Sequence, residues 1–142
     1  MKKGEKKEDG RVIYTKMRIQ TAFYELLNEY DYEKITVTLL CKEADINRAT
    51  FYKHYLDIDD LVDKLQEKTI AALSKKMRNT PRDELDNLII DILKFYKKTI
   101  QEQMDPQKLP AKATANYTSK ITRLIYDNFS EYTVSTKDKT LN

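Results

Sequence analysis

The ten residues from Ile46 to Tyr55, with the sequence INRATFYKHY, hold the densest group of side chains that could bind another molecule. Arg48 and Lys53 supply positive charge, and the neighbouring phenol and imidazole supply further polar groups. No carboxylate occurs in this stretch, although acids are common elsewhere in the chain. Donors without acids suit the phosphates and base edges of a nucleic acid, so the stretch favours DNA binding.

The same inventory argues against an enzyme. Catalysis needs a clustered acid, base or nucleophile, and the chain has one histidine, His54, and one cysteine, Cys41. Glycine is absent from residues 11 to 142, so no glycine-rich phosphate loop is available. A single cysteine forms no internal disulfide, and one cysteine with one histidine argues against a zinc cluster. We expect no catalytic residue, no cofactor and no metal, with Cys41 as a small buried hydrophobe.

Composition favours an all-α protein. The 142 residues include two glycines and three prolines, too few for the turns of a sheet, and 40% are apolar, enough for a core. No apolar run approaches the roughly 18 residues of a membrane span, and the charged N-terminus lacks the apolar segment of a secretory signal. We therefore expect a cytoplasmic protein with no membrane partner.

Three short helices are predicted around the basic stretch. The first carries a single apolar stripe, formed by Ile19, Ala22, Phe23, Leu26, Leu27 and Tyr30. Thr36 is predicted to cap the second, whose apolar face is Val37, Leu40, Cys41 and Ala44. Asn47 is predicted to cap the third, which runs from Arg48 to about Tyr55 and turns Phe51 and Tyr55 toward the core with Ile46. The short break between the second and third helices is typical of a helix-turn-helix, here at about residues 35–55.

Three more helices are predicted beyond this motif. Asp57 caps a long fourth helix that reaches about Met77, with an inward face of Ile58, Leu61, Val62, Leu65, Thr69, Ala72 and Leu73. Thr80-Pro81 is predicted to start the fifth, whose stripe is Leu85, Leu88, Ile89, Ile92, Tyr96 and Ile100. Asp105-Pro106 ends it, and residues 107–110 form a linker. The sixth follows Pro110, with Tyr117, Ile121, Leu124, Ile125 and Phe129 on its apolar face.

The segment ITVTLLCKEADINRATFYKHY, followed by LDIDDLVDKL, resembles the DNA-binding unit of the TetR family of regulators. The shared pattern is a Thr-Val step, a small residue before the turn, a polar cap, and an aromatic pair followed by a basic residue, histidine and an aromatic. The resemblance covers about residues 12–72. It implies an all-α protein in which a three-helix helix-turn-helix DNA-binding domain is joined by the long fourth helix to a reduced C-terminal helical domain.

The resemblance also implies roles for individual residues. Thr36 and Thr38 would meet phosphate at the start of the second helix, and Lys42 could add a contact. Arg48, Ala49, Thr50 and Lys53 would face bases or adjacent phosphates, while Tyr52 and His54 would hold the DNA backbone. The predicted DNA-binding residues, including the capping residue of the third helix, are Thr36, Thr38, Lys42, Asn47, Arg48, Ala49, Thr50, Tyr52, Lys53 and His54.

Each role has a plainer alternative. Thr36 can act as an N-cap alone, Tyr52 can pack beside the first helix, and His54 can be a packed or solvent-facing side chain. The chain also departs from the family pattern at two places. Asp45 stands where glycine is common in the turn, and Ile58 stands where a phosphate-binding lysine is common, among Asp57, Asp59 and Asp60.

The remaining segments are expected to serve assembly or to be flexible. Residues 1–11 are predicted to be a flexible basic arm, since residues 1–18 carry seven basic against three acidic side chains. This arm either meets a polyanion or is a solvated tail. Residues 73–132 are predicted to form a helical region for dimerisation or effector binding, and residues 133–142 a flexible tail.

The resemblance therefore implies a TetR-type transcriptional regulator, a homodimeric repressor that binds a palindromic operator in double-stranded DNA through the helix Arg48–Tyr55. Two such helices in a dimer would lie about 34–36 Å apart, one turn of DNA. The alternative is a TetR-like co-regulator that binds another regulator protein and has weak or no DNA binding. A small-molecule effector or a partner regulator is the further expected partner.

Overall fold

The computed structural model describes residues 8–81, 83–102 and 105–140, with the backbone alone at 85, 99–102, 106 and 129–140. Within these ranges every regular element is helical, which confirms the all-α prediction. Single 3₁₀ turns lie at Tyr32–Lys34 and Pro106–Lys108. The helices are α1 (Gly10–Glu29), α2 (Val37–Ala44), α3 (Arg48–Tyr52), α4 (Ile58–Asn79), α5 (Leu85–Glu102) and α6 (Ala111–Thr140).

The chain divides into two compact units, and the boundary lies inside α4, between Leu61 and Val62. The first unit contains α1, α2, α3 and the first turn of α4. The second contains the rest of α4 with α5 and α6. The boundary falls within residues 12–72, the segment predicted to form the DNA-binding domain.

In the first unit, α1 begins at Gly10 because the Asp9 side chain accepts a hydrogen bond from the backbone N–H of Arg11, at 2.9 Å. The helix thus starts inside the segment 1–11 that was predicted to be a flexible arm, of which residues 1–7 lie outside the described residues. Five positions of the predicted apolar stripe are buried, while Tyr30 lies just past the helix end and is exposed. This stripe packs against α2, which in turn packs against α3.

The third helix ends earlier than predicted, at Tyr52 instead of about Tyr55. The backbone N–H groups of His54 and Tyr55 both donate to the carbonyl oxygen of Phe51, each at 3.0 Å, which tightens the last turn and closes the helix. Phe51 is fully buried and Tyr55 is nearly so, as predicted. The shorter helix therefore keeps the predicted division into a buried and an exposed face.

In the second unit, the buried face of α4 differs from the prediction in two positions. Leu65 and Leu73 are buried as expected, but Ala72 is exposed, and Gln66 is almost completely buried instead. The buried positions continue to Met77, so the stripe drifts around the helix and leaves Ala72 outside it. The Gln66 Nε2 donates to the carbonyl oxygen of Ala113 in α6 at 3.2 Å, which makes this buried amide a link between the two helices.

The start of α5 also differs from the prediction. The hydroxyl of Thr80 donates to the carbonyl oxygen of Lys76 at 2.9 Å, so Thr80 belongs to the end of α4 and does not cap α5. The N–H of Glu84 then bonds the carbonyl oxygen of Pro81, and α5 begins at Leu85. Thr80-Pro81 has the residue types that often start a helix, but the Thr80 hydroxyl is already hydrogen-bonded within the preceding helix.

The core of the second unit forms around Leu73, Met77 and Leu88. Partly buried side chains pack against it from α5 and α6, namely Ile92, Phe95, Ile121 and Leu124. Two members of the predicted α5 stripe, Ile89 and Tyr96, are instead exposed. The predicted stripe positions Leu85, Ile100 and Phe129 lie outside the described side chains.

The last helix begins directly after Pro110, as predicted, and Tyr117 is buried on it. It continues to Thr140, into the segment 133–142 that was predicted to be a flexible tail. Residues 141–142 lie outside the described residues. None of the described helices combines the length and apolar character that crossing a membrane requires.

Candidate nucleic-acid interface

The second helix is fixed at its start by Thr36. The Thr36 hydroxyl oxygen accepts a hydrogen bond from the backbone N–H of Leu39 at 3.1 Å, which satisfies one of the free donors of the first turn. Thr36 and Thr38 are both exposed, as is Lys42 in the last turn. The cap predicted for Thr36 is therefore present, and the side chains predicted to meet phosphate are accessible.

The turn after α2 depends on a left-handed residue. Asp45 has φ 53° and ψ 52°, in the region where glycine is common and where aspartate is tolerated better than most residues. The N–H of Ile46 bonds the carbonyl oxygen of Cys41 at 3.0 Å, and the N–H of Asp45 bonds that of Lys42 at 3.3 Å. This pair of bonds is the Schellman ending of a helix, so the turn forms without glycine.

A side chain from α1 also holds this turn. The Arg18 guanidinium donates to the carbonyl oxygen of Asp45 at 3.3 Å and lies 3.5 Å from its carboxylate. The Asp45 side chain is almost fully exposed, so the ion pair itself adds little stability. The contact instead links α1 to the residue that sets the angle between α2 and α3.

The third helix is fixed at its start by Asn47. The side-chain oxygen of Asn47 accepts from both the backbone N–H and the hydroxyl of Thr50, each at 2.8 Å. The predicted cap is therefore present and is doubled. Because the one hydroxyl proton of Thr50 is donated to Asn47, the Thr50 oxygen can only accept a hydrogen bond from a further partner.

Buried aromatic rings orient α3. The rings of Phe51 and Tyr55 lie 5.5 Å apart, and both side chains are buried. Burial raises the pKa of the Tyr55 phenol, and it also raises the pKa of the Cys41 thiol below α3. These groups are therefore neutral core members at neutral pH, and the opposite side of α3 faces outward.

The outward side of α3 consists of Arg48, Ala49, Tyr52 and Lys53, which we call the recognition face. All four are exposed, while Thr50 and His54 at its edges are half-buried. Within the recognition face, an Arg48 Nη2 donates to the Tyr52 hydroxyl at 3.1 Å, and its guanidinium carbon lies 5.7 Å from the centre of the Tyr52 ring. The hydrogen bond to Tyr52 raises the pKa of Arg48, which keeps its full positive charge.

The carboxylates at the start of α4 accept hydrogen bonds from other groups of the first unit. Asp57 accepts from the backbone N–H of Asp60 at 2.8 Å, as its predicted capping role requires, and Asp60 accepts from the N–H of Leu56 at 2.9 Å. Asp59 accepts a hydrogen bond from the Tyr32 hydroxyl. Ile58, at the place where the family often has lysine, is buried. All three carboxylates therefore stabilise the junction before α4.

These features coincide with a known protein family. Residues 20–65 match the family model for bacterial regulatory proteins of the tetR family. This part of the chain is therefore similar to the DNA-binding domain of that family. A curated relative, the uncharacterized HTH-type transcriptional regulator YxbF of Bacillus subtilis, is 36% identical over 70 residues, which are 49% of this chain and 18% of that protein. The chain thus spans less than a fifth of its relative's length, and no solved structure matches it.

The matched segment, residues 20–65, contains all ten residues that were predicted to bind DNA. Eight are exposed and two, Thr50 and His54, are half-buried. The side-chain oxygens of Thr36 and Asn47 act as helix caps, so their DNA contacts remain predictions. Among the described residues, no cluster of histidine, cysteine, aspartate or glutamate has the arrangement of a metal site.

Two contacts that shape the first unit were not predicted from the sequence. These are the bond from Arg18 to Asp45 and the bond from Tyr32 to Asp59, each between residues 27 positions apart. No local spacing signals such pairs. The Arg48–Tyr52 pair, by contrast, has the i, i+4 spacing that places two side chains together on a helix, and the sequence contained that signal.

Proposed function

We propose that the chain is a DNA-binding transcriptional regulator whose DNA-binding domain comprises residues 12–72. The observation that carries this proposal is the recognition face on α3. It presents the donors Arg48 and Lys53, the methyl group of Ala49 and the phenol of Tyr52 on one exposed side, opposite the buried ring of Phe51. A helix of this kind fits the major groove, where side chains contact base edges.

The other predicted residues fit this docking. In our proposal α2 crosses the DNA backbone, so that the hydroxyls of Thr36 and Thr38 and the ammonium of Lys42 meet phosphates. Arg48, Ala49, Thr50 and Lys53 face bases or adjacent phosphates, and Tyr52 and His54 face the backbone. Asn47 orients α3 through its cap and lies next to the same groove.

The regulator would act as a homodimer on a palindromic operator, and as a repressor. The support for a dimer is an exposed apolar row on α5, in which Ile89, Leu93 and Tyr96 follow one another at four- and three-residue spacing. Leu93 is 63% exposed and Tyr96 is 49% exposed, which is unfavourable for an isolated molecule. A second copy that covers this row would bury the apolar surface and would pair two recognition faces.

The test is binding of the full chain to a labelled duplex from the region upstream of its own gene. We expect an excess of unlabelled specific duplex to displace it at much lower concentration than a scrambled duplex. The variant Arg48→Ala plus Lys53→Ala should lose this binding. The matched control is Lys75→Ala plus Lys76→Ala, which removes the same charge from exposed positions of α4. Binding that ignores sequence, or that is equal for both variants, would contradict the proposal.

The second candidate function is a TetR-like co-regulator that docks on another regulator. Its support is the acidic start of α4, with Asp57, Asp59 and Asp60 close to the expected path of a phosphate, and a buried Ile58 in place of lysine. The local bonds made by all three carboxylates weaken this support. No retention on any duplex at low salt, together with co-purification of a DNA-binding regulator, would favour this second function over the first.

A further inference from the structure

The Arg48–Tyr52 pair on the recognition face has a geometry that bears on which base it contacts. An Arg48 Nη2 donates to the Tyr52 hydroxyl at 3.1 Å, and the guanidinium also lies near the face of the same ring, 5.7 Å from its centre. The two residues are four positions apart on α3, so one turn of helix holds both. A long arginine side chain at an exposed position otherwise samples many rotamers, and this double contact restricts it.

The partner that orients Arg48 is neutral. Within the part of the chain that the structure describes, the groups that act on the pKa of Arg48 are Tyr52 and the Cys41 thiol, and no carboxylate is among them. A carboxylate partner would also orient the guanidinium, but it would cancel the charge that attracts DNA and would itself be repelled by phosphate. The phenol fixes the direction of Arg48 without that cost.

The pair presents donors to an incoming ligand. The guanidinium has five N–H groups, and Arg48 uses one of them for the bond to the Tyr52 oxygen, which leaves four for other acceptors. Because the Tyr52 oxygen accepts from Arg48, its own O–H proton is turned away from Arg48 and can also be donated. A donor-only surface matches the major-groove edge of guanine, with acceptors at N7 and O6, and conflicts with the amino group of adenine.

We propose that Tyr52 is a positioning residue that holds Arg48 for two hydrogen bonds to the N7 and O6 of a guanine, one in each half of the operator. The proposal rests on the proposed function, because it names the base that the recognition face selects. Tyr52 then acts on base preference through Arg48. If Tyr52 served only as a phosphate contact, it would act on affinity for every sequence alike.

The experiment is a selection of bound duplexes from a randomised pool by the full chain, followed by affinity measurements on the selected duplex and on its single-base variants. The native protein should select guanine at one position in each half-site. Arg48→Lys keeps the charge but loses the planar fork, and it should reduce the preference for that guanine by roughly 5- to 150-fold. Tyr52→Phe removes only the hydroxyl, and it should reduce the same preference by about two- to tenfold.

The matched control is Tyr30→Phe, which removes a phenol hydroxyl from another exposed tyrosine of the first unit. It should leave the base preference unchanged. The dependence of affinity on salt should be equal for Tyr52→Phe and the native protein, because the substitution removes no charge. Circular dichroism of each variant checks that the helices are retained, which we expect because both phenols are exposed.

The outcomes separate the two proposals. Failure of the native protein to select any sequence would contradict the proposed function itself. A selected sequence whose guanine preference is unchanged in Tyr52→Phe would overturn the positioning role while leaving the proposed function intact. An equal loss of affinity on all duplexes would show that Tyr52 acts only as a phosphate contact and would also overturn it.

Discussion

Both units of the chain enclose a core, and they differ in where each exposes apolar side chains. In the first unit, Phe23, Leu40 and Phe51 are fully buried, and each short helix has a side-chain cap at its start. In the second unit, Leu73 and Leu88 are buried, and α5 exposes the row Ile89, Leu93 and Tyr96. The first unit also exposes large apolar side chains, among them Ile13 and Met17 of α1 and Leu56. The comparison teaches that local caps and a small core shape the first unit, whose exposed apolar side chains are spread over α1, α3 and the segment before α4. In the second unit, three of the exposed apolar side chains form one row on α5.

The largest effect is expected in the closed core of the first unit. Phe51→Ala removes a ring that is 0% exposed, so it should lower the free energy of unfolding by about 3–5 kcal/mol. Leu56→Ala, at a position that is 78% exposed in the same unit, should change it by less than about 0.5 kcal/mol. Urea denaturation followed by circular dichroism measures both. Equal losses would mean that the first unit is not closed around Phe51.

The next effect concerns the exposed row of the second unit. Leu93→Glu places a charge in the surface that we propose to be covered by a second copy, so the dimer should dissociate about 10- to 100-fold more readily. Leu56→Glu, in the first unit, is the matched control and should not change the association. Sedimentation equilibrium of the full chain gives the dissociation constant of the dimer for each variant. A native protein that is monomeric, or a dimer that is unaffected by Leu93→Glu, would contradict the proposed interface.

A smaller effect on stability distinguishes the start of α3 in the first unit from the end of α4 in the second unit. Asn47→Ala removes the doubled cap of α3 and should lower the free energy of unfolding by about 1 kcal/mol. Asn47→Asp keeps an acceptor at the same place and should restore most of that loss. Thr80→Ala, at the end of α4, removes one exposed bond and should cost less than about 0.5 kcal/mol. Thermal unfolding of the three variants ranks them, and a larger loss for Thr80→Ala would reverse the comparison.

The smallest effect is a pH dependence. Burial raises the pKa of the Cys41 thiol, so the folded protein holds this proton more tightly than the unfolded chain. The resulting stabilisation is complete at neutral pH and is lost as the pH rises from the pKa of the unfolded thiol through the higher pKa of the folded one. Stability measured across the alkaline range should therefore decline slightly less in Cys41→Ala than in the native protein. An equal decline of stability with pH in the native protein and in Cys41→Ala would mean that the Cys41 thiol is not shielded from solvent.

Local signals account for most of what the sequence predicted in the first unit. The caps at Thr36, Asn47 and Asp57 each join residues three positions apart, a spacing that is visible in the sequence. The left-handed backbone of Asp45 lies where the family resemblance places a common glycine. The TetR-family resemblance was confirmed for residues 20–65. The DNA contacts of the ten predicted residues remain predictions.

Competition between neighbouring elements explains what the sequence did not show. Thr80-Pro81 has the residue types of a helix start, but α4 uses the Thr80 hydroxyl first, so α5 begins later. Gln66 has a polar side chain, yet the drift of the buried stripe along α4 places it in the core, where its amide meets Ala113. Such outcomes depend on which helix faces which, and no window of sequence contains that information.

The central claim is our proposal that residues 12–72 form a sequence-specific DNA-binding domain. The most direct test is the affinity of the full chain for the duplex it selects and for a scrambled duplex of the same composition, at one physiological salt concentration. Our account predicts a ratio of about 10³ or more, which falls toward one in Arg48→Ala plus Lys53→Ala. Equal affinities for the two duplexes in the native protein would contradict it.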